Sequence, residues 1–358
     1  MEAIKIIEAV KRYPEFTLGP IDLTVEQGEF FGIFGPPSTG KTSILKLMLG
    51  LLTPDEGRVE LAGRDAADLD VSARGISMVF QNLALFPHMT GRENIIFPLK
   101  ERGASEAEIS ERLDLVSEVL HVSHILHKNP AQMSGGERQR IALGRAFAAQ
   151  SRAMLLDEPI AALDARLREE MRVELKRLQR ENNQTFVYVS HDEEEVMAIS
   201  DRVAVIIDGR IAQIGTPDEV YDEPGSLAVA EVIGSPPMNF FHGAFSEDGL
   251  HFQSEVLARD VTIVGRTQMG GTGTLGVRPE DIWLGETEGN PAFQVHVSSV
   301  EPLGGIHHRE CAGRGADRQA SRAGAGNAAR GQFADRQSGY APPAPVRCRR
   351  ATVVSKRS

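Results

Sequence analysis

Short apolar runs and longer amphipathic segments alternate over the first 235 residues. Three runs are continuous, from Phe30 to Phe34, Met154 to Leu156 and Phe186 to Val189, which is typical of strands buried on both faces. A helix is predicted where apolar side chains recur at helical spacing: Leu167, Met171, Leu175 and Leu178. The alternation predicts an α/β fold with helices packed on a largely parallel sheet.

Capping residues mark several helix starts in the same region. Thr90 and Ser105 are each followed three residues later by Glu, which is the capping-box pattern. Thr216 is followed by Pro217, a residue favoured at the first helical position. Helices are therefore predicted to begin at these three places.

The pattern changes twice beyond this region. Residues 236–305 show short strand-like pieces without long amphipathic helices, which predicts a second, β-rich domain. Residues 306–358 are rich in Ala, Gly and Arg and show almost no strand pattern. They hold ten Arg and one Lys against two Asp and one Glu, a net charge of +8, whereas the whole chain is at -11. This tail therefore differs in kind from the rest of the chain.

Composition limits the class of protein. With 358 residues, of which 41% are hydrophobic and 25% charged, the chain has enough apolar material for two folded domains. Its acidic balance argues against nucleic acid as a partner, which needs a basic surface. No apolar run approaches the ~18 residues of a membrane span, the N-terminus lacks a signal-peptide pattern, and Cys311 and Cys348 form no metal spacing. We expect a cytoplasmic protein.

One segment predicts a phosphate-binding loop. It fits G-x-x-x-x-G-K-[ST] between a predicted strand and a predicted helix: Gly35, Pro36, Pro37, Ser38, Thr39, Gly40, Lys41 and Thr42. Backbone amides from Gly40 to Ser43 are expected to face a phosphate at the helix N-terminus. Lys41 is predicted to pair with the β- and γ-phosphates, and the Thr42 hydroxyl to bind Mg²⁺. A plain Gly/Pro turn before a helix is the alternative.

Two acidic residues, Asp157 and Glu158, follow the apolar strand Met154 to Leu156. A strand end places carboxylates at the edge where open α/β sheets bind ligands. We expect Asp157 to hold Mg²⁺, through water, and Glu158 to activate an attacking water molecule. Acids also end strands for solvation alone, so the phosphate loop upstream is what favours the catalytic interpretation.

A third segment carries two interpretations. Ser134 and Glu137 form another capping box. That pattern does not require the two glycines between them, Gly135 and Gly136, which leave helix N-terminal amides open to an anion. The sequence Met-Ser-Gly-Gly-Glu resembles LSGGQ, the signature motif of ATP-binding-cassette (ABC) ATPases.

Further residues of that family's motif set are similar in order and spacing. Gln81 resembles the Q-loop glutamine, Asp164 the D-loop aspartate, and His191 the switch histidine. Tyr13 resembles the aromatic residue that stacks on adenine. The segments from Phe80 to Thr90, Gly234 to Phe240 and Leu275 to Ile282 resemble maltose/glycerol-3-phosphate-type importer ATPases, and this likeness covers about residues 1–305.

The resemblance implies a P-loop NTPase ABC cassette with a mainly parallel core sheet, an antiparallel β subdomain and a helical subdomain. The cassette is expected at 1–235, with the helical subdomain at about 85–150. A partial, OB-like regulatory domain is expected at 236–305 and an atypical tail at 306–358.

The implied site has three groups of residues. The catalytic residues are Glu158, His191 and Gln81. The residues that bind ATP are Tyr13, Gly35, Pro36, Pro37, Ser38, Thr39, Gly40, Lys41, Thr42, Ser43, Ser134, Gly135, Gly136 and Asp164. The Mg²⁺ ligands are Thr42, Gln81 and Asp157.

The implied assembly is a peripheral one, at the cytoplasmic face of the plasma membrane. Two copies, or one copy and a paralogue, are expected to dimerise head to tail, with ATP between one phosphate loop and the partner's signature segment. Two membrane-spanning permease subunits are expected partners, and a solute-binding protein an indirect one. The implied activity is ATP hydrolysis coupled to import of a sugar or glycerol-phosphate-type solute.

The sequence departs from the family in three places. Glu137 replaces the usual Gln of the signature, and Ala161 the usual Ser of the D-loop. From about Ile306 the strands expected to complete the OB-like barrel give way to the Ala/Gly/Arg-rich tail. A reading-frame shift in the gene and a genuine disordered basic tail are both open interpretations.

Four other functions are open alternatives. A polyamine- or sulfate-type importer ATPase shares most of the motifs. A soluble ABC ATPase of DNA repair or translation usually carries paired cassettes, whereas this chain has one. A small-molecule P-loop kinase shares Lys41 and Asp157 but has no use for the Ser134 segment or His191. A non-enzymatic role would rest on the C-terminal domain, which in this family can bind regulatory proteins.

Overall fold

The computed structural model describes residues 1–255, 257, 260–262, 270–284, 292–303, 306–312, 344–348 and 352–354. The chain divides into two units, Met1–Asp218 and Glu219–Ser358. Within the described residues, no helix combines the length and apolar character needed to cross a bilayer.

The first unit alternates strands and helices. Its strands are β1 (Glu2–Arg12), β2 (Thr17–Glu26), β3 (Phe30–Phe34), β4 (Glu56–Leu61), β5 (Arg64–Asp65), β6 (Ile76–Val79), β7 (Ala153–Asp157), β8 (Thr185–Ser190), β9 (Arg202–Ile207) and β10 (Arg210–Gly215). Its helices are α1 (Lys41–Leu49), α2 (Gly91–Glu101), α3 (Glu106–Val119), α4 (Gly135–Ala148), α5 (Ala165–Asn182) and α6 (Glu193–Ile199). A further helix, α7 (Pro217–Asp222), spans the unit boundary.

Six strands form the core sheet, in the order β10-β9-β3-β8-β7-β6. Neighbouring strands are parallel except β10 and β9. Every residue of β3, β7 and β8 is buried, because both faces of the sheet are covered. The continuous apolar runs therefore predicted these strands correctly. Their parallel arrangement brings their carboxyl ends to one edge of the sheet.

A second sheet of the first unit is antiparallel, in the order β2-β1-β4-β5. Its strand β1 covers 11 residues, although the sequence there shows only one short apolar stretch, from Ile4 to Ile7. Register shifts after Ile6 and Ala9 interrupt the alternation, which is why the sequence hides the length of this strand. Buried side chains of this sheet and of α1 belong to one hydrophobic cluster.

The helices α2, α3 and α4 pack against one another and form the predicted helical subdomain. A complete capping box starts α2 at Thr90, as predicted. At the start of α3, Ser105 accepts the Glu108 N–H, while the Glu108 carboxylate pairs with Arg102. Ser134 and Glu137 form a complete capping box at the start of α4.

The second unit is β-rich, as predicted. It contains α8 (Leu227–Val232) and the strands β11 (Asn239–Phe245), β12 (His251–Gln253), β13 (Val261–Thr262), β14 (Gly271–Val277), β15 (Ile282–Leu284), β16 (Ala292–Leu303), β17 (Ile306–Ala312), β18 (Ala344–Cys348) and β19 (Thr352–Val354). They form two antiparallel sheets, β13-β12-β11-β14-β19 and β15-β18-β16-β17.

Three of these strands lie within 306–358, where the apolar pattern predicts almost none. Val346 is the Cα partner of Leu284, and Val353 that of Leu275. Strand β17 pairs with β16, which directly precedes it in the chain. The partners of β18 and β19 are distant in sequence, so the formation of these two strands depends on non-local pairing, which local pattern does not report.

A buried arginine organises the described start of the second unit. Arg278 is 5% exposed and donates hydrogen bonds to the carbonyls of Ile233 and Tyr221. Its guanidinium also lies 3.9 Å from the centre of the Tyr221 ring. The segment from Leu275 to Ile282, which resembles a motif of the importer branch, thus has an internal structural role.

Candidate functional site

A cleft of about 500 Å³ lies at the carboxyl ends of the central parallel strands, the edge where open α/β sheets bind ligands. Its lining residues are Tyr13, Phe16, Pro37, Ser38, Gly40, Lys41, Thr42, Ser43, Gln81, Asp157, Glu158 and Val189. A larger cleft of about 930 Å³ is lined by residues at the amino ends of β6, β7 and β8. It holds none of the predicted site residues, so the smaller cleft is the candidate site.

The phosphate loop wraps around the Lys41 ammonium. Lys41 is 7% exposed, and its Nζ donates to the carbonyls of Gly35 and Pro36 at 2.7 Å each. Burial lowers the pKa of Lys41, and the nearby carboxylates of Glu158 and Asp157 oppose that shift. A cation held by neutral carbonyls is available to phosphate oxygens, which fits the predicted role.

Two glycines make this loop possible. Gly40 has φ of 95° and caps the N-terminus of α1, a left-handed conformation that favours glycine. A Cβ at Gly35 would lie 2.2 Å from the carbonyl oxygen of Ile206. The fold of the chain itself therefore requires a glycine at Gly35.

Thr42 and Asp157 meet at the floor of the cleft. The Thr42 hydroxyl donates to Asp157 Oδ1 at 3.2 Å, and Asp157 is 2% exposed. Burial raises the pKa of Asp157, and the Thr42 hydrogen bond opposes that shift. A hydroxyl and a carboxylate are hard oxygen donors, so this pair fits Mg²⁺.

Glu158 stands between two side chains from distant segments. Its Oε1 lies 2.8 Å from His191 Nδ1, and its Oε2 accepts from Gln81 Nε2 at 3.2 Å. Its backbone has φ of 49°, a left-handed conformation that is strained for a residue with a Cβ. The structure thus brings the three predicted catalytic residues together, with strain stored at the central one.

Tyr13 and Phe16 form an aromatic wall at the mouth of the cleft. Their ring centres are 6.2 Å apart with 28° between the planes, and Tyr13 is 37% exposed. The Tyr13 hydroxyl donates to Ser43 Oγ at 3.1 Å. The sequence analysis does not predict Phe16 as a site residue, although its position three residues after Tyr13 could have indicated a second aromatic side chain at the site. The exposed ring face suits a flat heterocycle.

The signature segment is not part of this cleft. Ser134 Oγ accepts the Glu137 N–H at 3.2 Å, and Glu137 Oε2 accepts the Ser134 N–H at 2.6 Å. Asp164 caps α5 by accepting the Leu167 N–H at 3.0 Å. None of the four predicted residues of this group, Ser134, Gly135, Gly136 and Asp164, lines the cleft.

An ion pair reinforces the capping box of α4. Lys128 Nζ donates to Glu137 Oε1 at 2.8 Å. This bond, followed by the one from the Ser134 N–H, lowers the pKa of Glu137 to about 2. Glu137 is therefore anionic near neutral pH, and its carboxylate is hydrogen-bonded to Lys128 and to the Ser134 N–H of the same chain.

Sequence reasoning missed two residues of α4, the buried Gln139 and the half-buried Arg145. Gln139, 3% exposed, donates from Nε2 to the Glu158 carbonyl at 3.0 Å and accepts the Ala162 N–H at 2.9 Å. Arg145 donates to the carbonyls of Leu83 and Ala84, two left-handed residues that follow Gln81. The available signal was Gln139 itself, a polar residue four positions before the buried Leu143 on the apolar face of α4.

Comparison with known proteins places this geometry in a family. A family described as ABC transporter matches residues 18–161, and one described as MalK OB fold domain matches residues 234–282. The sn-glycerol-3-phosphate import ATP-binding protein UgpC 3 of Rhizobium etli is 40% identical over 316 residues, 86% of each chain. The trehalose/maltose import ATP-binding protein MalK of Thermococcus litoralis is 40% identical over 321 residues, 85% of this chain and 86% of the other.

A third relative and a solved structure indicate the same family. The xylose/arabinose import ATP-binding protein XacK of Haloferax volcanii is 43% identical over 288 residues, 79% of this chain and 75% of the other. The dimeric structure of MJ0796, a bacterial ABC transporter cassette, is 30% identical with a TM-score of 0.56. It matches 60% of this chain and 98% of its own.

Fold and cleft together define a nucleotide-hydrolysing P-loop protein. The chain belongs to the ATP-binding subunits of ABC transporters, in the branch that carries a MalK OB-fold domain after the cassette. It is accordingly an ATPase that binds ATP. The expected family and fold are confirmed.

Proposed function

We propose that the chain is the ATPase subunit that energises an importer for a sugar or a glycerol-phosphate-type solute. The observation that carries the proposal is the convergence of Lys41, Asp157 and Glu158 in one cleft. The relatives support the solute class, since they are named as import proteins for glycerol-3-phosphate, trehalose/maltose and xylose/arabinose.

The phosphate loop and the floor of the cleft bind the nucleotide. Lys41 and the N-terminal amides of α1 face the phosphate oxygens of ATP, which exchange for the carbonyls that hold Lys41 now. Thr42, Gln81 and Asp157 would hold Mg²⁺. When bound, the metal ion neutralises charge on the phosphate oxygens. Tyr13 and Phe16 receive the adenine ring.

Glu158 acts on the attacking water. Its carboxylate orients the water and accepts its proton as the bond from the water oxygen to the γ-phosphorus forms and the bond from the γ-phosphorus to the bridging oxygen of ADP breaks, which releases ADP and phosphate. His191 and Gln81 hold the two carboxylate oxygens, so the base cannot rotate away from the reacting water. Positioning and charge stabilisation are the main requirements of phosphoryl transfer, and the cleft supplies both.

The second half of the site comes from another subunit. In the proposed head-to-tail dimer, Ser134, Gly135 and Gly136 of one copy contact the γ-phosphate of ATP bound in the other, with Asp164 at the interface. The position of these residues outside the chain's own cleft supports this arrangement. The related cassette MJ0796 is dimeric in its solved structure, which supports this arrangement.

The dimer is proposed to drive two membrane-spanning permease subunits from the cytoplasmic face of the membrane. The segment after Gln81 is the proposed contact, because Leu83 and Ala84 there adopt strained left-handed conformations that α4 supports. A solute-binding protein delivers the solute and has no direct contact with this chain.

The experiment is ATP hydrolysis by purified wild-type protein and Glu158→Gln. The variant keeps the hydrogen bond from Gln81 but loses the proton acceptor, so we expect hydrolysis to fall by about 10²-fold or more while ATP binding is retained. Glu118→Gln, on the exposed face of α3, is the matched control and should hydrolyse ATP at the wild-type rate. Wild-type turnover by Glu158→Gln would contradict the proposed role of Glu158.

A further inference from the structure

Gln139 connects α4 to the backbone of Glu158 and to the loop that follows it. It is a long polar side chain, 3% exposed, on a helix face that is otherwise apolar. Both ends of its amide are used: Nε2 donates to the Glu158 carbonyl at 3.0 Å, and Oε1 accepts the Ala162 N–H at 2.9 Å. A buried amide satisfied at both ends holds its partners in a defined geometry.

Glu158 needs such support, because its conformation is costly. Its φ of 49° puts it in a region that residues with a Cβ avoid. Its N–H donates to the Val189 carbonyl of β8 at 2.9 Å, and its carbonyl accepts from Gln139. The peptide groups on both sides of its Cα are therefore fixed, and the carboxylate is directed at Gln81 and His191.

We propose that Gln139 is a positioning residue for hydrolysis, which holds Glu158 in its strained conformation and ties it to the helix that begins with the signature segment. Ser134 caps α4 and Gln139 lies in its second turn, about 7 Å further along the helix axis. A displacement of the N-terminus of α4 moves Gln139, and through it the base of the same subunit.

The consequence concerns the two nucleotide sites of the dimer, and this part rests on the proposed function. If Ser134 to Gly136 contact nucleotide in the partner's cleft, α4 joins the state of that cleft to the geometry of Glu158 in its own. Contact at one site then favours the hydrolytic geometry at the other. Helix α4 and the two hydrogen bonds of Gln139 connect the two nucleotide sites in this way.

Two variants separate the two hydrogen bonds. Gln139→Met has a similar volume and removes both. The carboxylate of Gln139→Glu still accepts the Ala162 N–H but cannot donate to the Glu158 carbonyl. The matched control is Gln179→Met, because Gln179 is also buried, at 5% exposed, and donates to a backbone carbonyl, that of Gly28, far from the cleft.

The experiment measures kcat, the KM for ATP and thermal stability of full-length protein. We expect both Gln139 variants to lose about tenfold or more in kcat, as misplacement of a catalytic group does, with KM within about threefold. Gln179→Met should lose stability but keep its kcat. In a Glu158→Gln background, Gln139→Met should lower the residual single-turnover rate no further, because its effect passes through Glu158.

Several results would overturn the proposal. Wild-type kcat in Gln139→Glu, with a loss only in Gln139→Met, would show that the Ala162 contact matters and the Glu158 contact does not. A full additional loss in the Glu158→Gln background would show a general structural role. The role of Gln139 and the proposed ATPase function can fail separately. If Glu158→Gln is inactive and the Gln139 variants hydrolyse ATP at the wild-type rate, only the role of Gln139 is contradicted.

Discussion

The phosphate-loop cleft and the signature segment are two regions of one unit that are built in opposite ways. In the cleft, functional side chains bond to one another across distant segments, as Thr42 does with Asp157 and Glu158 with His191. In the signature segment, Ser134 bonds only to its own helix turn. The first region is a cleft lined by several functional side chains, and the second is a helix start at which Ser134 is exposed. The difference fits the proposal that each chain carries two half-sites that do not meet within it.

The glycines of the two regions also differ, in the space that the fold leaves for a side chain. A Cβ at Gly35 would collide with the Ile206 carbonyl at 2.2 Å, whereas at Gly135 the nearest atom would be Ala162 Cβ at 3.9 Å. The fold of the single chain thus explains Gly35 but leaves room for a side chain at Gly135. Close approach by a second subunit is what would require a glycine there.

The variant Gly135→Ala tests the difference between the two regions and has the largest expected effect. Alanine is the better helix former, so the free energy of unfolding should be unchanged or up to about 1 kcal/mol higher. Hydrolysis should nevertheless fall by about tenfold or more, because the added methyl group lies where the partner's nucleotide is expected. Chemical denaturation and steady-state hydrolysis of the same preparation measure the two effects.

Gly144→Ala, on the same helix, is the control. A Cβ there would approach Ile95 and Val116 at 3.1 Å, so overpacking should lower stability by about 1–3 kcal/mol. Parallel losses of stability and activity in Gly135→Ala would contradict the idea that this glycine is kept free for a partner.

A smaller effect concerns the pH dependence of the signature helix. The Lys128 hydrogen bond lowers the pKa of Glu137 to about 2, from an ordinary 4.5. A carboxyl group whose pKa is lower in the folded state stabilises the protein fully above the unfolded value, and that contribution is lost as the pH falls from about 4.5 towards 2. Glu137→Gln should therefore be less stable at pH 7, by under about 1 kcal/mol for an ion pair near the surface.

The difference between wild type and Glu137→Gln should narrow below pH 4.5. Urea unfolding at pH 7 and at pH 3.5 measures it. An equal difference at both values would mean that the ionised carboxylate does not stabilise α4.

Much of the fold could be predicted from the sequence because its signals are local. The continuous apolar runs identified β3, β7 and β8, and the capping boxes at Thr90 and Ser134 located the starts of α2 and α4. The phosphate-loop pattern identified the residues at one edge of the sheet. These features depend on neighbours within a few positions.

What could not be predicted depends on contacts between distant segments. The strained backbone of Glu158 is stabilised by β8 and by Gln139, which no pattern around residue 158 reports. The length of β1 is hidden by its register shifts. The strands β18 and β19 are short, and their partners lie far away in the chain.

The central claim is that two half-sites of separate chains form one site when ATP binds. The most direct test is the molar mass of purified Glu158→Gln, measured by size-exclusion chromatography with light scattering, with and without MgATP. The slow variant keeps ATP intact, so we predict a shift from monomer to dimer that depends on MgATP and is lost when Gly135→Ala is added. A well-folded Glu158→Gln protein that binds ATP and remains monomeric would contradict the account.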